Sequence, residues 1–242
     1  MFLCAATTSF LFRQQLSAIW DELVVVNPMN SGQRENLLLL QRPELGITFT
    51  KLHAWKLIHY SKCVFLDADT LVLDNVDELF EREELSAAPD VGWPDCFNSG
   101  VFVFRPSLET YSRLLDFAEQ YDSFDGGDQG LLNLFFHDWA TKDISKHLPF
   151  IYNVTPNVAY GYMPAFKKFG HNIKIIHFIG ATKPWHHLMT SSGQVFLKPG
   201  TYSTQNVIQQ YIQKWWDTFL SATEMCSPVS YTHLTLPTIY SV

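Results

Sequence analysis

An open α/β sheet with helices packed on it is the fold class this sequence predicts. Short continuous apolar runs recur along the chain, and stretches with apolar residues at helical spacing stand between them. No Pro/Ser/Gly-rich linker and no internal repeat divides the chain, so one domain is expected over residues 1–226. In such sheets ligands bind beyond the carboxyl ends of the strands. The polar residues that follow the apolar runs are therefore where chemistry is sought.

The elements follow in order. Met1 to Phe12 is mildly apolar but short, with no basic lead-in, so it does not read as a signal peptide. Leu23-Val24-Val25-Val26 reads as a short buried strand, followed by a polar loop through Asn30, Ser31 and Gly32. Thr50 is placed to cap a helix running through Leu52, Trp55 and Ile58. Cys63-Val64-Phe65-Leu66 is apolar on both faces, as a central parallel strand would be, and stops at Asp67-Ala68-Asp69. Gly100 to Phe104 is a second such run. Pro106-Ser107 opens a helix with Leu108, Tyr111, Leu114, Leu115 and Ala118 on one side. Asp125 to Gly130 forms a tight loop before an apolar helix, Leu131 to Trp139. Ile173 to Phe178 is a late strand ending at Gly180, and Gln205 to Leu220 is a polar helix docked by Trp215 and Trp216. Residues 227–242 have no clear period and are expected to be a disordered tail.

Composition bounds the function. The 242 residues are 47% hydrophobic and 15% aromatic, which excludes intrinsic disorder of the whole chain. Lys+Arg 17 against Asp+Glu 24 gives a net charge of -7, which argues against nucleic acid as a partner. No stretch approaches the roughly 20 apolar residues a membrane span needs. Cys4, Cys63, Cys96 and Cys226 form no CxxC pair and read as reduced thiols of a cytoplasmic protein. Asn153-Val154-Thr155 matches a glycosylation sequon but precedes Pro156, and is read as chance.

Three clusters carry chemistry. Asp67 and Asp69, one residue apart at a strand end, point to one side if the chain has begun to turn. With a substrate diphosphate they would complete an octahedral Mg²⁺ or Mn²⁺ shell, although Asp-x-Asp alone also marks an ordinary strand-to-turn boundary. His177, late in an apolar strand, is either a core histidine or a third ligand; an imidazole with two carboxylates suits Mn²⁺ better than Mg²⁺. Gly180 followed by Lys183 can bring backbone and a cation up to a phosphate. The glycines around Asp125, Asp128 and Gln129 allow close approach to a ligand, with an N-cap as the alternative role for Asp125. Asn98 and Ser99 supply donors of the sort that hold sugar hydroxyls.

These residues stand in a recognisable order. Thr50-Lys51-Leu52-His53, Phe65-Leu66-Asp67-Ala68-Asp69-Thr70, Phe97-Asn98-Ser99-Gly100-Val101-Phe102, Phe124-Asp125-Gly126-Gly127-Asp128-Gln129-Gly130 and His177-Phe178-Ile179-Gly180-Ala181-Thr182-Lys183-Pro184-Trp185 follow one another in the chain. Together they resemble glycosyltransferase family 8, from about Leu16 to Trp185, and within it the self-glucosylating members. The resemblance implies a GT-A-type, Rossmann-like fold with a mixed, mostly parallel sheet. It implies Mn²⁺ on Asp67, Asp69 and His177, with Ala68 in the same donor-binding segment. Lys51 is implied near the donor and in catalysis, Gly180 and Lys183 at the diphosphate, and Asn98 and Ser99 at the sugar. Asp125, Asp128 and Gln129 are implied in the acceptor and catalytic loop. Asp128 is either a nucleophile or a stabiliser of an oxocarbenium-like centre. Tyr160 matches the acceptor tyrosine that receives glucose from UDP-glucose and carries the growing glucan that primes glycogen synthesis.

The same resemblance implies a homodimer. Glycogen synthase is a further expected partner, although no tail for it is visible in the sequence. The family's first strand and helix, which hold the nucleotide, are expected to be missing, with Met1 to Phe12 an atypical segment in their place, and Val229 to Thr238 is expected to be a non-family, artefactual stretch. The competing readings are a catalytically impaired binding or dimerisation subunit, and a member acting on a separate sugar acceptor.

Overall fold

The apolar runs become strands and most of the periodic stretches become helices. The computed structural model describes residues 1–32, 34–39, 41–156, 162–190, 192–197 and 205–226. The strands are Phe2–Ala5 (β1), Leu23–Val26 (β2), Cys63–Leu66 (β3), Thr70–Val72 (β4), Ser86–Pro89 (β5), Phe97–Phe104 (β6), Ile175–His177 (β7), Leu188–Met189 (β8) and Val195–Phe196 (β9). The α-helices are Phe10–Ile19 (α1), Arg34–Leu39 (α2), Leu108–Gln120 (α3), Asp128–Phe135 (α4), Met163–Phe169 (α5) and Gln205–Cys226 (α6). Contacts gather these elements into two units, residues 1–65 with 77–148, and residues 66–76 with 149–226.

In the first unit β1 and β2 pair in parallel, Phe2 opposite Leu23, with α1 as the crossover. This corrects the absence of any strand from the reading of Met1 to Phe12. Phe2-Leu3-Cys4 is itself a short apolar strand, and Arg13 ties the following loop to α1 by donating to the Ala6 and Thr8 carbonyls at 2.7 and 2.8 Å. A second correction concerns Thr50. It lies inside a winding of 3₁₀ turns, Pro43–Lys56, rather than at a helix start, and its hydroxyl donates to the Ile47 carbonyl at 2.7 Å. Phe49, Leu52 and Trp55, three apart, are buried, as are Lys51, His53, Ala54 and Leu57 around them, while Ile58 is exposed.

β6 lies at the centre of the sheet β3-β6-β5, and all its residues are buried. Burial on both faces explains its continuous apolar run, but it pairs antiparallel with β5, Ala87 opposite Phe102. Two-sided burial does not fix strand direction, and the short connection between β5 and β6 returns the chain as a hairpin. Parallel and antiparallel pairings are thus mixed, with more antiparallel pairing than the apolar runs suggested. Trp55 stacks on Phe102 and tilts against Phe104 at ring distances of 5.6 and 4.8 Å, and α3 and α4 pack Leu114, Leu131 and Leu132 into the same core. Ser107 caps α3 as expected, accepting from Thr110 N at 3.2 Å.

The second unit is built on β4 and β7, antiparallel, with Thr70 opposite His177 and Leu71 opposite Ile176. Val154 bridges in parallel to Ile176. α6 buries Ile208, Tyr211, Ile212 and Trp216 against Leu71, Ile176, Phe178 and Val195. The expected docking by Trp216 is specific: its indole N–H donates to the Pro184 carbonyl at 3.2 Å. Among the described residues Cys4, Cys63 and Cys96 are free thiols, and no helix is long and apolar enough to cross a membrane.

Candidate functional site

In the second unit, the turn after β3 makes Asp67-x-Asp69 a chelating pair. Thr70 donates both its backbone N–H and its hydroxyl to the Asp67 carbonyl, at 3.0 and 2.8 Å, which closes the turn. The β4–β7 register then sets His177 against Asp69, reinforced by Phe178 N donating to the Asp69 carbonyl at 2.9 Å. His177 Nε2 lies 3.3 Å from Asp69 Oδ1 and 3.9 Å from Asp67 Oδ2. Among the described residues these three form the group whose ligand atoms lie within 4.8 Å of one another. Two carboxylates and an imidazole at that spacing fit a divalent cation.

Asn153 orients the imidazole. Its Oδ1 lies 3.0 Å from His177 Nδ1, so Nε2 faces the carboxylates. Asn153 is itself buried, which leaves its side chain no access to an added glycan in this fold. Lys183 pairs with Asp69 Oδ2 and donates to the Phe178 carbonyl at 2.9 Å. Gly180, at φ +100°, lets the chain fold back so that Lys183 arrives there; a side chain at that φ would be strained. Burial by itself pushes the Asp69 carboxyl up, but the hydrogen bond and charge of His177 and the charge of Lys183 outweigh it and hold the group well below the usual carboxylate range. Ala68 sits exposed between the two aspartates.

In the first unit, Lys51, Ser99 and Asp128 form a buried polar knot. Lys51 Nζ lies 2.6 Å from Asp128 Oδ2, donates to the Ser99 carbonyl at 3.0 Å, and stands 4.9 Å from the Phe65 ring centroid. The Ser99 hydroxyl donates to the same Asp128 oxygen at 2.7 Å. Gln129 Oε1 accepts from Ser99 N at 3.2 Å, and its amide donates to Asp90 Oδ2 at 3.1 Å. Asn98 also donates to Asp90 Oδ2, at 2.9 Å. Asp128 opens α4, where a first-turn carboxylate is favoured.

Asp125 is placed differently from the expectation of a catalytic group. Its Oδ1 accepts from the Ser123 hydroxyl at 2.8 Å and from the backbone N–H groups of Gly127 and Gly130 at 2.9 and 3.0 Å. That is a loop-holding role close to the N-cap alternative. Burial pushes its carboxyl up, against the pull of these bonds. Gly130, in the first turn of α4, faces the same network, and a Cβ there would overlap Asp125 Oδ1 and Ser123 Oγ. Gly130→Ala is expected to cost about 1–3 kcal/mol in urea unfolding, the range for overpacking a tight site. An unchanged midpoint would show that the loop yields freely.

Asp90 and Asn153 were not singled out by sequence reasoning. Asp90 precedes a turn and carries no periodic signal, and nothing local in the sequence marks Asn153 as a partner of His177. Tyr160 lies outside the described residues. Tyr162, beside it, is exposed at the start of α5.

Glycogenin-1 of Oryctolagus cuniculus is 56% identical over 210 residues, covering 87% of this chain and 63% of that protein. Glycogenin-2 of Homo sapiens is 56% identical over 211 residues, covering 87% of this chain and 42% of that protein. The chain thus spans less than two thirds of the length of these curated relatives. Among solved structures, the apo-form glycosyltransferase GlyE of Streptococcus pneumoniae TIGR4 superposes with a TM-score of 0.52 at 19% identity, covering 93% of this chain and 62% of that one. This likeness speaks for the GT-A-type α/β fold alone. The sequence profile of Glycosyl transferase family 8 matches residues 11–189, a stretch that holds every described residue of both clusters. The chain belongs to glycosyl transferase family 8.

Proposed function

We propose that this chain is a retaining glucosyltransferase that moves glucose from UDP-glucose onto its own Tyr160 and then extends it into a short glucan that primes glycogen synthesis. Family membership and similarity to proteins named glycogenin support this reading. The observation that carries it is the Asp67, Asp69 and His177 cluster, oriented by Asn153 and flanked by Lys183. Mn²⁺ is the cation we assign to it, because an imidazole beside two carboxylates favours it over Mg²⁺. When bound, such a cation neutralises the charge that gathers on a departing diphosphate.

The chain's own residues do the rest. Asp67 and Asp69 supply hard oxygen ligands, and His177 supplies a nitrogen whose direction Asn153 sets. Lys183 places a positive charge beside Asp69, where it serves the diphosphate oxygens. Gly180 gives the backbone its close approach. In the other unit, Lys51 and Ser99 hold the Asp128 carboxylate in one orientation. That group either attacks the anomeric carbon or stabilises its developing positive charge. Asn98, Ser99 and Gln129 hold sugar hydroxyls, and Asp125 holds the loop that presents Asp128 and Gln129. We read the location as cytoplasmic, and the partners as UDP-glucose, the growing glucan, a second copy of the chain and glycogen synthase.

Peptide mass spectrometry after incubation with UDP-glucose and Mn²⁺ tests the acceptor. A hexose ladder is expected on the peptide holding Tyr160, lost in Tyr160→Phe and kept in Tyr162→Phe. Tyr162 is the sharp control because it is an exposed phenol (69%) two residues away. A ladder that survives Tyr160→Phe moves the acceptor elsewhere. Donor turnover with no ladder at all favours a separate acceptor molecule.

A further inference from the structure

Asn133 stands alone among apolar neighbours. It lies inside α4, between Leu131-Leu132 and Leu134-Phe135, away from the cap positions that asparagine favours and where leucine is the better helix former. Leu131 and Leu132 are buried in the core, and Asn133 is half-buried beside them. Its amide is nonetheless fully partnered. Oδ1 accepts from Phe97 N at 2.9 Å, and Nδ2 donates to the Phe97 and Gln129 carbonyls, each at 2.9 Å. Exchanging one donor and one acceptor with a single residue is what a hydrogen-bonded residue of a neighbouring antiparallel strand does. The β5–β6 register explains why a side chain takes that place. Phe97 stands opposite Pro89, and Asp90 N donates to the Cys96 carbonyl at 2.8 Å. That bond makes Phe97 and Pro89 a non-hydrogen-bonded pair, so the N–H and C=O of Phe97 face the edge away from β5, where Asn133 meets them. The Phe97 ring is fixed as well: it is buried and meets Trp139 edge-on at 5.4 Å.

This clamp joins the two elements that carry the buried polar knot. Phe97 directly precedes Asn98 and Ser99 on β6, and Gln129, one turn before Asn133, directly follows Asp128 on α4. Between strand and helix, the Ser99 hydroxyl donates to Asp128 Oδ2 at 2.7 Å and Ser99 N donates to Gln129 Oε1 at 3.2 Å. Those contacts need the helix at one height and one rotation relative to the strand. The packing of Leu131 and Leu132 is non-directional and defines both only loosely. A pair of hydrogen bonds to one peptide unit is directional, and a fully satisfied polar group in a packed interior specifies a single arrangement. All three Asn133 bonds go to backbone groups, so it acts through its neighbours rather than on a substrate.

We propose that Asn133 is a positioning residue for glucosyl transfer: its amide sets the register of α4 on β6 at which Asp128 and Gln129 are presented together with Asn98 and Ser99. The assignment rests on the glucosyltransferase reading above and adds the group that holds its carboxylate in place. The test compares the full chain with Asn133→Leu and Asn133→Asp for UDP release from UDP-glucose with Mn²⁺, for UDP binding with Mn²⁺ by calorimetry, and for Tm, with turnover measured below every Tm. Leucine fills a similar volume without hydrogen bonds. Aspartate keeps the shape and the acceptor for Phe97 N, but sets an oxygen against the Phe97 and Gln129 carbonyls. In both variants kcat is expected to fall roughly 10–100-fold, the scale of a misplacement of about 1 Å at a reacting group. The Kd for UDP should stay within about twofold of wild type, because Asp67, Asp69, His177 and Lys183 belong to the other unit. Gln129→Ala/Asn133→Leu should be no slower than the slower single variant, since both changes release one arrangement. Wild-type kcat in Asn133→Leu, or in Asn133→Asp where the leucine variant does not fold, overturns the proposal. A kcat loss matched by lost UDP binding, or losses that multiply in the double variant, reduces Asn133 to a scaffold residue and overturns it too. Each of these leaves the glucosyltransferase reading standing. A wild-type chain that releases no UDP overturns both.

Discussion

Lys51→Met is expected to lower the stability of the chain by about 3–5 kcal/mol, the range for stranding one partner of a buried ion pair. Lys51 and Asp128 are both under one tenth exposed, and their charged atoms lie 2.6 Å apart. Methionine fills a similar volume but leaves the Asp128 carboxylate buried, with the Ser99 hydroxyl still on Oδ2 and its cation gone. Lys51→Met/Asp128→Leu removes both charges and should recover most of the loss, since a buried pair is rarely better than an apolar replacement. Neither variant should transfer glucose. Urea unfolding reads the first effect and UDP release the second. A single variant less than about 1 kcal/mol below wild type would mean that water reaches the pair and relieves the stranded charge.

Asp69→Asn is expected to cut Mn²⁺-dependent turnover of UDP-glucose by roughly 10²–10³-fold or more, the scale of a group that acts on charge developing in the transition state. Asparagine keeps the shape and loses the charge, so the β4–β7 pairing should survive. The change removes a hard ligand and also takes away the carboxylate that Lys183 pairs with. His177→Ala should cost less, because both carboxylates remain. Asn153→Ala leaves all three ligands and loosens only the ring; about 10–100-fold weaker Mn²⁺ binding is the usual effect of such a change. Full turnover in Asp69→Asn would remove the cluster from the reaction.

What could be read from the sequence had a local physical signature. A continuous apolar run ended by a charged turn made Cys63–Leu66 and Asp67-x-Asp69 legible together, but β3 is half-buried at the end of its sheet rather than central, and the strand buried on both faces is its neighbour β6. His177 was legible as an exception within a strand, although its proximity to Asp69 depends on a register that no local pattern encodes. Asn153 and Asp90 were not legible, because each acts through a partner distant in the chain. The winding Pro43–Lys56 was misread because apolar spacings of three and four overlap over a few turns; only the exposure of Ile58 separates them. The strand Phe2–Ala5 was not legible because the run is short, and its pairing with Leu23–Val26 needs a crossover helix that Ser9 and Arg13 anchor.

The central claim is that Asp67, Asp69 and His177 hold the cation that serves the reaction. Electron spin-echo spectroscopy of Mn²⁺ added to the full chain tests it most directly, because a coordinated imidazole nitrogen modulates the echo. One bound Mn²⁺ with a nitrogen signal is predicted, the signal vanishing in His177→Ala while the ion stays, and the ion itself lost in Asp67→Asn/Asp69→Asn. Mn²⁺ bound with no nitrogen in the wild type, or a nitrogen signal that persists in His177→Ala, would contradict the account.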